Sequence, residues 1–240
     1  FGDPLASIAK DHLRILRYYR FQARFGDELD QEAETACAEM ADTLKGLSRE
    51  RIADELLKLL SLPDPAPTAA RMFERGVLRV ILPETCTAHV KALAALVVQE
   101  AAQDEPPAPL RRLAALLPPS AEVAESVAAR LRLSKNQRAR LVSAAERQDE
   151  DCAHPQSLAY RISVAFAVDR LLLLGAPIDA VRGWEPPRFP LKGGVIVARG
   201  VAAGPEVARI LQMIERRWVS EGFPGEERIE ELLTQALLER

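Results

Sequence analysis

Lys10-Asp11-His12-Leu13-Arg14-Ile15-Leu16-Arg17-Tyr18-Tyr19-Arg20-Phe21-Gln22-Ala23-Arg24-Phe25-Gly26 is the most strongly patterned stretch of this 240-residue chain. At about 100° per residue, Ile8, Ile15, Leu16, Tyr19 and Ala23 fall on one face. Pro4 stands where a helix can begin and Gly26 where one can end. The spacing predicts a single helix between them. Lys10, Arg14, Arg17, Phe21 and Arg24 share a neighbouring sector, and Asp11 and Arg14, three positions apart, are expected side by side on it.

Working outward, a second periodic stretch runs from Leu29 to Lys45. Ser48 can cap a third helix carrying Ile52, Leu56, Leu59 and Leu60, which Pro63 stops. Pro63-Asp64-Pro65-Ala66-Pro67 reads as a stiff break. Helices are then expected at 68–75 up to Gly76, at 88–102, between Pro106 and Pro119, after the caps Ser120 and Ser134, and at 158–174 up to Gly175. A second break spans 183–194. Gly204-Pro205 opens a helix through Trp218, and 226–240 forms the last. Two-residue alternation is confined to Val77–Leu82 and Val195–Ala198, too short to anchor a sheet. The expected fold is all-α, an elongated array of short helices in three regions, 1–62, 63–183 and 184–240.

Composition agrees. Hydrophobic residues make up 48% of the chain and aromatics 5%, so the core must be aliphatic, an inventory that favours helix. A net charge of −3 does not mark a nucleic-acid binder; any such contact must come from local basic stripes. Cys37, Cys86 and Cys152 lie far apart, which fits a reducing compartment. His12, His89 and His154 form no ligand doublet, so no metal site is expected. No apolar run approaches the roughly 20 residues of a membrane span, and a cytoplasmic protein is expected. The chain starts at Phe1-Gly2-Asp3-Pro4 without an initiator Met and enters a helical pattern at once, which reads as a cut at a domain boundary.

The run Asp11-x-Leu13-Arg14-x-Leu16-Arg17-x-x-Arg20-Phe21-x-Ala23-x-x-Gly26 resembles the neck helix of the class II CCA-adding enzymes and bacterial poly(A) polymerases. Leu47-Ser48-x-Glu50-Arg51-Ile52-x-x-Glu55-Leu56-x-Lys58-Leu59-Leu60 resembles the next neck motif of that family at the expected separation. Phe189-Pro190-Leu191-x-Gly193-Gly194 and Gly204-Pro205-Glu206-Val207 resemble its tail more weakly. The resemblance implies a neck over 1–62, a helical body over 63–183 and a tail over 184–240.

It also implies a function: the nucleotide-selecting and tRNA-binding part of a template-independent tRNA nucleotidyltransferase, whose full-length parent adds CCA to tRNA 3′ ends. Asp11 and Arg14 match the Asp and Arg of the family's Glu-Asp-x-x-Arg template, which reads the incoming nucleotide. Lys10 stands where the family has Glu and is expected to face the triphosphate or the RNA backbone. Lys10, Asp11, Arg14 and Arg17 are thus the expected nucleotide-binding residues. Arg20, Arg24, Arg130, Arg132, Lys135 and Arg138 are candidates for holding RNA, because a stripe of cations can follow a phosphate backbone. Expected partners are the tRNA 3′ end, CTP, ATP and an N-terminal head domain. That head carries the family's Asp-x-Asp on a sheet and its Mg²⁺; this chain is expected to carry no catalytic carboxylates and no cofactor, and to be inactive in isolation. A poly(A) polymerase of the same family and a non-catalytic helical RNA-binding module are the alternatives.

Overall fold

The computed structural model describes residues 3–26 and 30–238. Every regular element among them is helical, as expected. Asp3 caps α1 (Pro4–Lys10) and α2 follows (Arg14–Phe25). α3 (Gln31–Glu39) runs into a 3₁₀ turn (Ala41–Gly46), and Ser48 caps α4 (Arg49–Leu60) by accepting from the Arg51 amide at 3.4 Å. Then come α5 (Ala66–Glu74), α6 (Val77–Ile81), α7 (Thr87–Ala102), α8 (Pro109–Ala115), α9 (Ala121–Arg130) and α10 (Lys135–Ala145). Ser120 and Ser134 cap α9 and α10 through the Val123 and Gln137 amides, as their sequence positions predict. α11 (Pro155–Ile162), α12 (Val164–Leu173), α13 (Gly193–Ala198), α14 (Pro205–Ser220) and α15 (Glu226–Leu238) complete the described chain. None of these helices is long and apolar enough to cross a membrane.

Three local expectations are corrected. The single helix between Pro4 and Gly26 is two, because Asp11 intervenes. Its backbone is extended (φ −155°, ψ 104°), its amide closes α1 on the Ile8 carbonyl, and its carbonyl and Oδ1 then accept from the Arg14 and Leu13 amides at 3.0 and 3.2 Å. A short acidic side chain that can bond its own backbone favours such a cap over a helix interior. Lys10 therefore sits on α1 while Arg14, Arg17, Phe21 and Arg24 sit on α2. The helix expected at 158–174 is likewise divided, at Ser163, whose φ of +88° no α-helix contains. The second periodic stretch resolves into α3 and the 3₁₀ turn; its start at Leu29 lies outside the described residues. The two short alternating runs, Val77–Leu82 and Val195–Ala198, anchor no sheet, as expected: they fall largely within α6 (Val77–Ile81) and α13 (Gly193–Ala198). Two-residue alternation over so few positions does not distinguish strand from helix.

The described residues form two compact units, one of residues 3–153 and 168–178, the other of 154–167 and 179–238. The core of the first is aliphatic: Ile15, Leu16 and Tyr19 of α2 are buried, as are Ile52, Leu56, Leu59 and Leu60 of α4. Its buried charges include a network around Arg111 and Arg112. Arg111 and Arg112 are each 1% exposed, and both donate to Glu100 at 2.7 Å. Arg111 reaches on to Asp169 at 3.2 Å, and Arg140 meets that carboxylate at 2.5 and 2.8 Å. Arg112 also donates to the carbonyls of Leu60 (2.8 Å), Leu62 and Pro63 (3.1 Å), satisfying backbone acceptors that the end of α4 leaves free.

In the second unit, α14 and α15 pack through Ile210, Ile214, Leu232 and Leu233. Trp218 is buried, its indole N–H donates to the Pro224 carbonyl at 2.8 Å, and its ring lies 5.0 Å from Phe223 and 5.7 Å from Tyr160. Trp184 is half-buried against Phe223 at 5.4 Å. Both tryptophans are core anchors, the role their type suggests.

Candidate nucleotide- and RNA-reading site

Asp11, at the junction of α1 and α2, is held from α4. Arg51 Nη2 lies 3.2 Å from its Oδ1 and 3.1 Å from its Oδ2, and Arg17 Nη1 approaches Oδ2 at 4.0 Å. Partial desolvation opposes ionisation of this carboxyl. The Leu13 amide and the Arg51 and Arg17 guanidiniums outweigh it and hold the pKa below the usual carboxylate value. Asp11 is thus an anion at neutral pH. A carboxylate offers about four lone-pair sites, so these bonds leave room for another donor.

Glu55, one turn further along α4, is buried at 4% exposure and receives Arg20 Nε at 2.7 Å and Arg17 Nε at 3.4 Å. Arg17 therefore bridges the two carboxylates, and α2 and α4 are tied by a chain of alternating charge. On the far side of α4, Glu50 is held down to about 2 by its bond from Arg132, at 2.6 Å, with its own amide and the Ser48 hydroxyl assisting. Arg51 and Glu55 belong to the second neck-like motif and were not among the site residues expected from the sequence. The signal that could have promoted them was the pairing of two basic-acidic motifs 35–40 residues apart.

Arg14 opens α2, is exposed, and turns back to α1, where Nη1 donates to the Ser7 carbonyl at 3.2 Å and approaches the Ser7 hydroxyl. Ser7, Lys10, Arg14, Tyr18, Asp30 and Cys37 are among the residues lining a surface cavity of about 450 Å³. Burial pushes the Tyr18 and Cys37 groups up to about 12, so both stay neutral there. Asp11 and Arg14 thus flank one helix junction rather than sharing one helix face.

The remaining candidates are spread over unit one. Arg24 lies 5.0 Å from the centroid of the Phe25 ring. Arg130 is paired with Glu84 by two bonds of 2.7 Å, Arg132 with Glu50, and Arg138 with Glu125. Lys135, the first residue of α10, is exposed and makes no ion pair among the described residues. The cluster at 130–138 is thus largely neutralised by the chain's own carboxylates. One Asp-x-Asp does occur, Asp149-Glu150-Asp151, contrary to expectation. It forms a 3₁₀ turn, not a strand, and Asp151 is occupied by the Gln148 amide (3.1 Å) and Arg170 (3.3 Å). That pair does not fit the two-metal centre of a nucleotidyl transfer.

A family model described as a probable RNA and SrmB-binding site of polymerase A matches residues 28–88. The mitochondrial CCA tRNA nucleotidyltransferase 1 of Danio rerio is 31% identical over 236 residues, which cover 90% of this chain and 54% of that protein. The chain is similar over nearly all its length to CCA tRNA nucleotidyltransferases, and over residues 28–88 to the polymerase A family. It spans about half the length of the curated relatives it matches. Solved structures similar to it include a CCA-adding enzyme in complex with ATP, TM-score 0.70, and the Thermotoga maritima CCA-adding enzyme complexed with tRNA, TM-score 0.68. Both are 18% identical; the first covers 97% of this chain and 62% of its own, the second 98% and 62%. They share the family's helical fold with this chain.

Proposed function

We propose that this chain is the nucleotide-selecting and tRNA-binding part of a template-independent tRNA nucleotidyltransferase that completes tRNA 3′ ends with CCA. One observation carries the reading. The α1–α2 junction carries an ionised carboxylate, Asp11, bonded by Arg51 and approached by Arg17, and three residues on an exposed guanidinium, Arg14, which is turned back to Ser7. Cytosine and adenine each offer an exocyclic amino donor beside an unprotonated ring nitrogen. Asp11 accepts from the first while Arg14, released from Ser7, donates to the second, with charge assistance on both bonds. Uracil and guanine reverse that edge and set acceptor against acceptor. Lys10, which lines the same cavity as Arg14, takes the triphosphate or the RNA backbone in this proposal.

In this proposal the chemistry of transfer belongs to a metal-binding head outside the 240 residues, and the partners are CTP, ATP and the tRNA 3′ end. The neck, body and tail at 1–62, 63–183 and 184–240, with Arg20, Arg24, Arg130, Arg132, Lys135 and Arg138 along the RNA, are parts of the same proposal. The proposed location is the cytoplasm, consistent with three unpaired cysteines. The second reading, a poly(A) polymerase, is favoured by the polymerase A family model over the neck. Product analysis separates them. The full-length protein, given all four nucleoside triphosphates and tRNA lacking its last three nucleotides, is expected to add C, C and A and stop. A homopolymeric A tail would establish the second reading, and no extension would overturn both.

A further inference from the structure

α2 carries four arginines and no carboxylate along its 12 residues, and two large aromatic rings on it are more than half exposed among the described residues. Phe21 is 51% exposed and Phe25 67%, on successive turns, with ring centroids 6.1 Å apart and planes only 21° from parallel. Arg20 lies 4.7 Å from the centroid of Phe21 and Arg24 lies 5.0 Å from that of Phe25. Leaving two phenylalanines in water forgoes the burial that normally places them inside. The remainder of the helix offers no apolar margin to extend the patch: Ile15, Leu16 and Tyr19 are committed to the core.

We propose that Phe21 and Phe25 form a stacking platform for unpaired RNA bases, with Arg24 as its phosphate contact. The surface is a pair of flat π faces framed by cations with no anion on the same helix, which complements a polyanion that can present flat faces. A folded protein partner would need a matching apolar surface, and a duplex hides its base faces inside the stack. Single-stranded nucleic acid meets both demands, and aromatic stacking with a cationic rim is how such strands are held without reading their sequence. The inference rests on the RNA-binding reading above and extends it from the incoming nucleotide to the strand.

The test measures binding of the 240-residue chain to a fluorescein-labelled single-stranded 12-mer and to a blunt hairpin of equal length, by anisotropy. Phe21→Ala/Phe25→Ala is expected to weaken single-strand binding tenfold or more and to leave hairpin binding unchanged. Phe25→Leu, which keeps an apolar side chain but removes the ring, should show a smaller loss of the same kind. Arg24→Gln should lower the slope of log K against log salt by about 0.7, the value for one phosphate on a single strand. Unaltered helicity by circular dichroism shows that the variants fold. Wild-type binding to either RNA with no selective loss in the double variant would overturn the platform alone. A double variant that keeps its RNA affinity but changes sedimentation would assign the rings to a protein contact instead. Wild type binding neither RNA would overturn both the platform and the reading beneath it.

Discussion

Arg112→Ala is expected to destabilise the first unit by about 3–5 kcal/mol, the cost of removing one partner from a buried ion pair. The change strips Glu100 of one of its two guanidiniums and leaves the Leu60, Leu62 and Pro63 carbonyls without their donor, all at buried or partly buried positions. Each unsatisfied buried acceptor is worth about 1–3 kcal/mol by itself, so the overall figure is set by how far water reaches them. In a protein of this size the loss corresponds to a fall in midpoint of about 10 °C. Arg112→Lys should recover little, because a single ammonium cannot span a carboxylate and three carbonyls in the plane that a guanidinium covers. Thermal denaturation followed by circular dichroism checks both. A shift below about 2 °C for Arg112→Ala would show that the network is hydrated and contributes little.

Glu55→Ala is the second large effect, and it joins stability to selection. The carboxylate is buried and holds Arg20 at 2.7 Å and Arg17 at 3.4 Å, whereas the arginines themselves retain some solvent. That exposure lowers the expected cost to about 1–3 kcal/mol, below that of a fully buried pair. The consequence for α2 is larger than the number suggests. With Glu55 gone, Arg17 has only Asp11 to pair with and Arg20 loses its carboxylate, so the Arg51–Asp11 pair is left as the charged tie between the junction and α4. Hydrogen exchange should therefore accelerate at the α2 amides more than at those of α9 and α10. Uniform acceleration across the first unit would mean that Glu55 supports packing in general and does not position the junction.

Helix content and most helix ends were legible in the sequence, because Ser48, Ser120, Ser134, Gly76 and Pro205 act locally and their side chains or φ angles carry the signal. Asp11 and Ser163 broke helices that periodicity alone had joined. Apolar spacing continues smoothly through both positions, and only the competition of a short polar side chain for the backbone marks them. The Arg111–Arg112–Glu100–Asp169 network was invisible for a different reason. Leu110-Arg111-Arg112-Leu113 reads as an ordinary surface turn of helix until carboxylates 11 and 58 residues from Arg111 fold onto it. The same blindness affected the basic run at 130–138: the cations are adjacent in sequence, but Glu84, Glu50 and Glu125, which meet them, are not. At the candidate site, motif resemblance found Asp11 and Arg14, while the partners that set the charge and position of Asp11 came from packing.

The central claim is that Asp11 selects the base. Its most direct test is single-nucleotide incorporation by the full-length protein, wild type against Asp11→Ala, on tRNA lacking its 3′ end, with each of CTP, ATP, UTP and GTP supplied alone. With the carboxylate gone, the amino group of C and A loses its acceptor and the carbonyl of U and G loses its clash, each worth about 1–3 kcal/mol. The account predicts that the preference for CTP and ATP over UTP and GTP falls by about ten- to a hundredfold in the variant, with its melting temperature little changed. An unaltered preference, in a variant that still extends tRNA, would contradict it.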